Sequence, residues 1–519
     1  MIAYVTRRAL QLSSFLNRMQ QTPMTLWSNW TYAKRIMAFY PILFLSTICH
    51  FGISGLAPGF EQIVLEFHVG PDKLSWLISI CMLGSFIGCY TLALLTDRFG
   101  RRPIWLFAAL WVFLCSIWGA VSDSYTSLLL SRFFASWAAG VSEPVSVTTT
   151  NDLFFLHERG TQCGVQSVWL SLGASLSPVI TGFLIQSKGW RWYKWVLSIL
   201  AGFDLLWIFF CSPETRYRRN LHESVDVAGA DEFSDKSAGT RQSLNEIAVS
   251  YEEKTTLETS ASHQSAIDAP VRKRSYLLEL KPWSPVDKDV NVLAAFFRAW
   301  ATWSYLSIAW AVTSWAIHVS CVIVLISLIP IYLGATPYNF TTSQQGLTFL
   351  AACVGNILGS FLCGYMTDKL SQWSARRNNG VFEPEMRLPV VIFPAVAVPV
   401  GLLMFGIGLE KKFHWIVPVI GSGLVGTGLT GIAAIVEAYM MDSYAPVLAD
   451  GIVNLYGFKS IVSFAIGFAV VPWLKLNGII PVFCILSAMV IVVDAFAMVI
   501  YIWGKRLRER DARLRVLAF

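Results

Sequence analysis

Ionisable residues inside apolar runs are where chemistry is expected, because a charge there is costly and marks a pathway, a relay or a binding site. The chain carries Arg132, Glu143, Asp204, Glu437, Lys459 and Asp494 in such positions, with His50 and His318 in similar surroundings. A carboxylate among apolar residues holds a proton or a cation, so Glu143 and Glu437 are the candidate proton- or substrate-binding acids. Arg132 does not release its own proton. It serves by pairing with a nearby acid or by favouring that acid's charged form. Lys459 can neutralise one of the acids. Histidine titrates near neutral pH, which makes His50 and His318 candidate proton carriers. Trp137 and Tyr439 offer aromatic faces to an organic or cationic substrate through cation–π attraction. No nucleotide-binding loop, metal-ligand spacing or nucleophile constellation appears. An enzyme is therefore not expected, nor is a cofactor or metal, nor ATP as the direct energy source.

The elements that carry these residues are membrane spans. Of 519 residues, 55% are hydrophobic and 14% are charged, whereas a soluble chain carries about a quarter charged residues. Most of the ten cysteines fall inside apolar runs, where cysteine is a small hydrophobe, and no disulfide is expected. A spanning helix needs about 20 apolar residues. Runs of that kind cover 36–56, 74–95, 104–120, 128–150, 164–185 and 195–211, which are spans 1 to 6. Six more cover 306–333, 347–366, 388–407, 415–440, 452–474 and 479–503, which are spans 7 to 12. The expected fold is an all-α membrane protein of twelve transmembrane helices in two pseudo-symmetric six-helix halves.

Between the halves the hydropathy collapses. The expected layout is an N-terminal tail over 1–35, a half over 36–212, a central loop over 213–304, a second half over 305–503 and a C-terminal tail over 504–519. The loop is rich in Ser, Thr, Asp and Glu and is expected to be largely disordered. Its basic stretch Arg272-Lys273-Arg274 is expected near anionic lipid. The formal charge of +7 lies mostly in tails and membrane-flanking loops. It reads as an orientation signal that puts both termini in the cytoplasm, not as a nucleic-acid footprint. One loop disagrees with that orientation: Lys188, Arg191 and Lys194 fall on the outside. Asn339-Phe340-Thr341 is a glycosylation triplet on that same side.

Two motifs sharpen the reading. The first is Ala93-Leu94-Leu95-Thr96-Asp97-Arg98-Phe99-Gly100-Arg101-Arg102-Pro103, a tight turn between spans 2 and 3, with a partial second copy at Gly364-Tyr365-Met366-Thr367-Asp368-Lys369. Gly100 permits the reversal, and Arg98, Arg101 and Arg102 hold the turn on the positive side. A motif repeated in corresponding places of two halves is what transporters built by duplication show. The second motif is in span 5, where Gly164, Gly173, Ser177, Pro178, Thr181 and Gly182 make a bent face of small residues that a neighbouring helix can approach closely.

The turn resembles the signature loop of the major facilitator superfamily, G-x-x-x-D-R-x-G-R-R/K, with Ala93 in place of the first glycine. The span 5 pattern resembles that family's antiporter motif, with Ser177 and Thr181 replacing glycines. Gly189-Trp190-Arg191-Trp192, Pro213-Glu214-Thr215 and Pro337-Tyr338-Asn339-Phe340 look like its fungal twelve-span branch, related to drug:proton antiporters and yeast-type polyamine or cation transporters. The resemblance implies a secondary transporter with a midplane cavity between the halves. Arg132 matches the span 4 arginine associated with proton coupling. His50 and His318 lie in spans that line the cavity, and Asp204 and Asp494 lie in peripheral spans. The Asp97 and Asp368 loops are expected to latch the inner side through acid–base contacts between the halves. The expected function is alternating-access, proton-coupled export of a drug, secondary metabolite or organic cation by a plasma-membrane monomer. The expected partners are the lipid bilayer, a small-molecule substrate and protons, without nucleic acid. The alternatives are a nutrient importer or facilitator, a vacuolar location, and a transporter-like sensor that signals through the central loop.

Overall fold

Backbone groups in lipid must satisfy one another, and an apolar run does so as a helix. The computed structural model describes residues 31–70, 72–154, 156–215, 281–283, 291–444 and 447–514. No strand occurs among them. The expectations for residues 1–30 and for most of the central loop, Arg272 to Arg274 included, lie outside the described residues.

In the first half, span 1 is Tyr32–Ser54 and span 3 is Arg101–Ala120. Span 2 is Asp72–Gly88, continued through a π-helical turn at Cys89–Ala93 into Leu94–Phe99. Span 5 is Leu156–Lys188 and span 6 is Trp190–Cys211. In the second half, span 7 is Leu306–Leu333, span 8 is Thr342–Arg377, and span 9 is Ile392–Glu410 after the 3-10 turn Pro384–Val391. Span 10 is Ile416–Ser443, span 11 is Leu448–Asn477 and span 12 is Ile479–Leu514.

Eleven described helices are long and apolar enough to cross a bilayer. Span 4 departs from the expected single helix. It is two pieces, Tyr125–Ala139 and Ser142–Leu153, broken at Gly140 and Val141. Pro144 has no N–H to give back to the preceding turn, so it is tolerated only near a helix start. Gly140 presses on span 2, where an added Cβ would lie 2.5 Å from the Ser85 carbonyl oxygen.

Helix neighbours repeat between the halves. Spans 1 and 5 pack as 7 and 11 do, 2 and 4 as 8 and 10, 3 and 4 as 9 and 10, and 3 and 6 as 9 and 12. The halves meet along two seams, span 2 on span 11 and span 5 on span 8.

The ends differ from expectation where helices outrun their apolar runs. Span 12 continues through the supposed tail, and Arg508 there makes a two-pronged pair with Glu385 at 2.7 and 2.8 Å. Residues assigned to the central loop form the helix Val292–Ala301, capped by Asn291, with Ala295 and Ala299 buried and Leu293 and Phe297 exposed.

Candidate functional site

Gly100 has φ +89° and ψ 165°, a backbone region essentially reserved for glycine. The reversal it makes aims the two amides at the start of span 3 at Glu214, which accepts them at 3.1 and 3.2 Å. A carboxylate suits a helix N-terminus. Arg101 pairs with Asp152 at the end of span 4, at 2.7 Å. Arg102 donates to the carbonyls of Ser212 and, at 2.8 Å, Phe209 in span 6. Arg98 lies over the Phe99 ring. In the second half Arg387 joins Asp368 of span 8, at 3.0 Å, to Asp442 of span 10, at 2.8 Å. Open space surrounds Gly364.

The ion pairs of Arg101 and Arg387 each tie helices within one half. The arginines at the start of span 3 turn back onto spans 4 and 6 and so stay inside their own bundle. The halves are joined at this end by further residues. Tyr90, in the π turn of span 2, donates to Asn454 Oδ1 of span 11 at 2.6 Å. Asn454 also donates to Ala299 O at 2.5 Å and Thr302 Oγ1 at 2.7 Å. The Tyr90 ring stacks on Trp300 at 5.6 Å. Arg298 clasps Asp450 of span 11 at 2.7 and 3.3 Å, close to Asp97.

At the opposite end the span 5 motif serves the second seam. Gly173 lies against span 1, where a Cβ would meet the Thr47 carbonyl oxygen at 2.6 Å. Ser177 donates to Phe51 O at 3.0 Å and Thr181 to Ser177 O at 2.8 Å. The Pro178 turn and Gly182 lie on Gly346 of span 8, with 3.1 Å between the Gly346 Cα and a Cβ built on Gly182. A Cβ added to Gly164, nearer the other end of the span, would meet open space.

Between the seams, three ionisable residues converge. Glu143 stands in the first turn after the break in span 4. Its Oε1 is 2.7 Å from His50 Nε2 of span 1, and its Oε2 meets Lys459 Nζ of span 11. His50 Nδ1 is 2.8 Å from the Ser46 carbonyl. Both ring nitrogens therefore face oxygen acceptors, while a neutral imidazole has only one N–H. The ring can therefore donate to one of them in each neutral tautomer, and to both when charged. The Lys459 ammonium lies over the rings of Tyr456 at 4.6 Å and Trp315 at 5.6 Å. Tyr456 donates to Glu437 Oε1 at 2.5 Å. A small cavity beside this group is lined by His50, Ser85, Ser142, Glu143, Tyr456 and Ser460.

The other candidates lie elsewhere. Arg132 touches no carboxylate among the described residues. Its guanidinium donates to the carbonyls of Leu77 at 2.7 Å, Gly52 at 3.2 Å and Ile53 at 2.8 Å, tying span 4 to spans 1 and 2. Trp137 donates to Thr91 Oγ1 at 3.2 Å and packs edge-on against Phe107 and Trp111, inside the first half. Tyr439 is buried edge-on to Trp310 of span 7. His318 faces the outer layer of the bundle. Its Nδ1 is 2.9 Å from the Ser314 carbonyl and its Nε2 is 3.4 Å from Asp494 of span 12. Tyr456 and Trp315 were not singled out by sequence. The only signal was the spacing of Tyr456 three residues before Lys459, which puts both on one helix face.

A family model described as Major Facilitator Superfamily matches residues 42–472. The MFS-type transporter penM of Penicillium rubens is 25% identical, over 92% of this chain and 86% of its own length. The MFS transporter cpaT of Aspergillus oryzae is 26% identical, over 84% of this chain and 79% of its own. The solved structure of the proton:xylose symporter XylE is similar in fold, with a TM-score of 0.61 at 14% identity, covering 90% of this chain and 96% of that one.

Proposed function

The chain belongs to the Major Facilitator Superfamily, and from that membership we propose that it exchanges protons for a small organic molecule bearing a protonated amine, by alternating access. It is an integral membrane protein, not an enzyme. The observation that carries the reading is the placement of Glu143 between His50 and Lys459, because the second contact joins one half to the other.

Lys459 gives the clue to substrate class. Its ammonium rests on one carboxylate and two aromatic faces, Tyr456 and Trp315, which is the chemistry that recognises an organic ammonium. The chain's own lysine occupies the place a substrate amine would take. Glu143 can hold a proton shared with His50, or an ammonium, but each weakens the other. Arrival of substrate displaces Lys459, breaks the contact between halves and frees them to rock. Protonation of Glu143 then releases the substrate on the far side. Competition for one carboxylate gives antiport, and a proton gradient directed inward drives the amine outward. The basic end of the bundle faces the cytoplasm in this reading. Glu437 and Tyr456 hold the cage in shape, and Arg132 fixes the helices on which it is built.

The test is uptake of a panel of polyamines and cationic drugs into proteoliposomes of known orientation, with and without an imposed pH gradient. Amine movement that follows the gradient in the wild type and falls to the background of empty vesicles, with or without the gradient, in Glu143→Gln is the expected result. Gradient-independent movement would make the protein a facilitator, and movement of neutral solutes alone would remove the amine.

A further inference from the structure

The orientation signal had one exception, the cations Lys188, Arg191 and Lys194 around the start of span 6. The structure accounts for two of them differently. Lys188 is exposed. Arg191 pairs with Glu66 and donates to Ser122 O at 3.1 Å. Lys194 turns inward and is only 3% exposed, its stem lying on Gly119 of span 3.

Lys194 shares a cavity of about 20 Å³ with Arg132, which is 1% exposed. That volume suits one small ion or a water. The polar walls are Ser116, Ser136, Cys49 and Cys81, and no carboxylate lines the cavity. Asp204 is on the same helix as Lys194, but about 15 Å of helix separates them. Among the described residues no acid pairs with either cation. Arg132 gives three N–H groups to carbonyls and lies against the Tyr193 hydroxyl, all of them neutral partners. Two buried cations around one small void, without an acid, are costly unless something negative sits between them.

We propose that this cavity is a binding site for a small monovalent anion of the chloride class, held between Lys194 Nζ and Arg132 and bounded by the Ser116 and Ser136 side chains. Such an ion neutralises the interior of the first half, and it is separate from the proton and amine site at Glu143. Cys49 and Ala139 line both cavities. The anion is a structural counter-charge and is not transported.

The test uses the purified full-length protein in detergent, unfolded thermally in potassium chloride, potassium bromide or potassium gluconate at equal ionic strength. The wild-type Tm is expected to rise with the logarithm of halide concentration, and gluconate, too large for the void, is expected to have no such effect. Lys194→Met should lose the halide response and Lys194→Arg should keep it. A wild type equally stable in all three salts would overturn the proposal, as would a halide response unchanged in Lys194→Met. Should Lys194→Met not fold, wild-type crystals soaked in bromide decide: anomalous density between Lys194 and Arg132 supports the site, and its absence there rejects it.

Discussion

Lys459 Nζ and Glu143 Oε2 meet across the boundary between the two halves, one from span 11 and one from span 4. Neither residue can keep this contact when the halves separate around the cavity. The pair therefore reports, and holds, one arrangement of the bundle.

A double-mutant cycle measures that holding. Removing one partner of a buried pair leaves the other charge stranded and costs about 3–5 kcal/mol. Glu143→Gln and Lys459→Met are each expected to lower Tm, and the double variant should lose much less than the sum. Additive losses would mean that the two side chains do not interact in the membrane.

Lys459→Met also removes the internal competitor for Glu143. Amine substrates should bind more tightly to this variant, with a lower KM, while turnover falls because the halves lose the contact that couples occupancy to rocking. Binding by isothermal calorimetry, set beside vesicle uptake, separates the two effects. Weaker amine binding in Lys459→Met would show that the lysine is not standing in for substrate.

The contact of His50 with Glu143 sets a titratable ring against the carboxylate, and with it the proposed antiport predicts a pH-dependent exchange. His50→Gln keeps a hydrogen-bonding side chain on Glu143 but removes the titrating ring. Uptake should persist with a shifted pH profile in that variant and be lost at every pH in Glu143→Gln. A profile identical to wild type in His50→Gln would take the ring out of the proton path.

The turn at Gly100 makes a local prediction. Its backbone lies where a Cβ is strained, by roughly 1–3 kcal/mol. Gly100→Ala should lower Tm accordingly and loosen the Glu214 cap on span 3. Neutral stability in Gly100→Ala would mean that the turn relaxes to another conformation.

Tyr90→Phe tests the seam between spans 2 and 11. It leaves Asn454 Oδ1 buried without its donor, a loss of about 1–3 kcal/mol. Spin labels on spans 2 and 11 near Asn454 should show a longer and broader distance distribution in Tyr90→Phe than in the wild type.

The legible parts of this chain are local or compositional. Gly100 could be read because a short turn between two apolar runs leaves few conformations, and spans could be read because lipid admits little else. Glu143, His50 and Lys459 stood out singly, since a charge in an apolar run is conspicuous. Their meeting did not, because it joins residues brought together only by tertiary packing. Rotation about the helix axis was the chief hidden variable. His318 sits in the expected span but turns to Asp494 of span 12, and Trp137 packs on Phe107 and Trp111 of span 3. These helices are apolar nearly all round, so periodicity gives no face to choose. Arg132 was expected to act on a nearby acid because it resembles the span 4 arginine associated with proton coupling, yet backbone carbonyls of spans 1 and 2 take up its guanidinium. The apolar count also undershot spans 5, 8 and 12, whose helices run on into charged sequence that hydropathy does not recognise as part of a span.

The break in span 4 divides mechanical duty. Its upper piece is riveted to spans 1 and 2 through Arg132, and its lower piece carries Glu143 and ends at Asp152, tied to the signature turn by Arg101. A continuous helix would carry torque from one end to the other. A helix jointed at Gly140 and Val141 is two levers on one pin. In the proposed cycle, tilting at the signature turn would shift Glu143 relative to Lys459 while the Arg132 contacts above are kept.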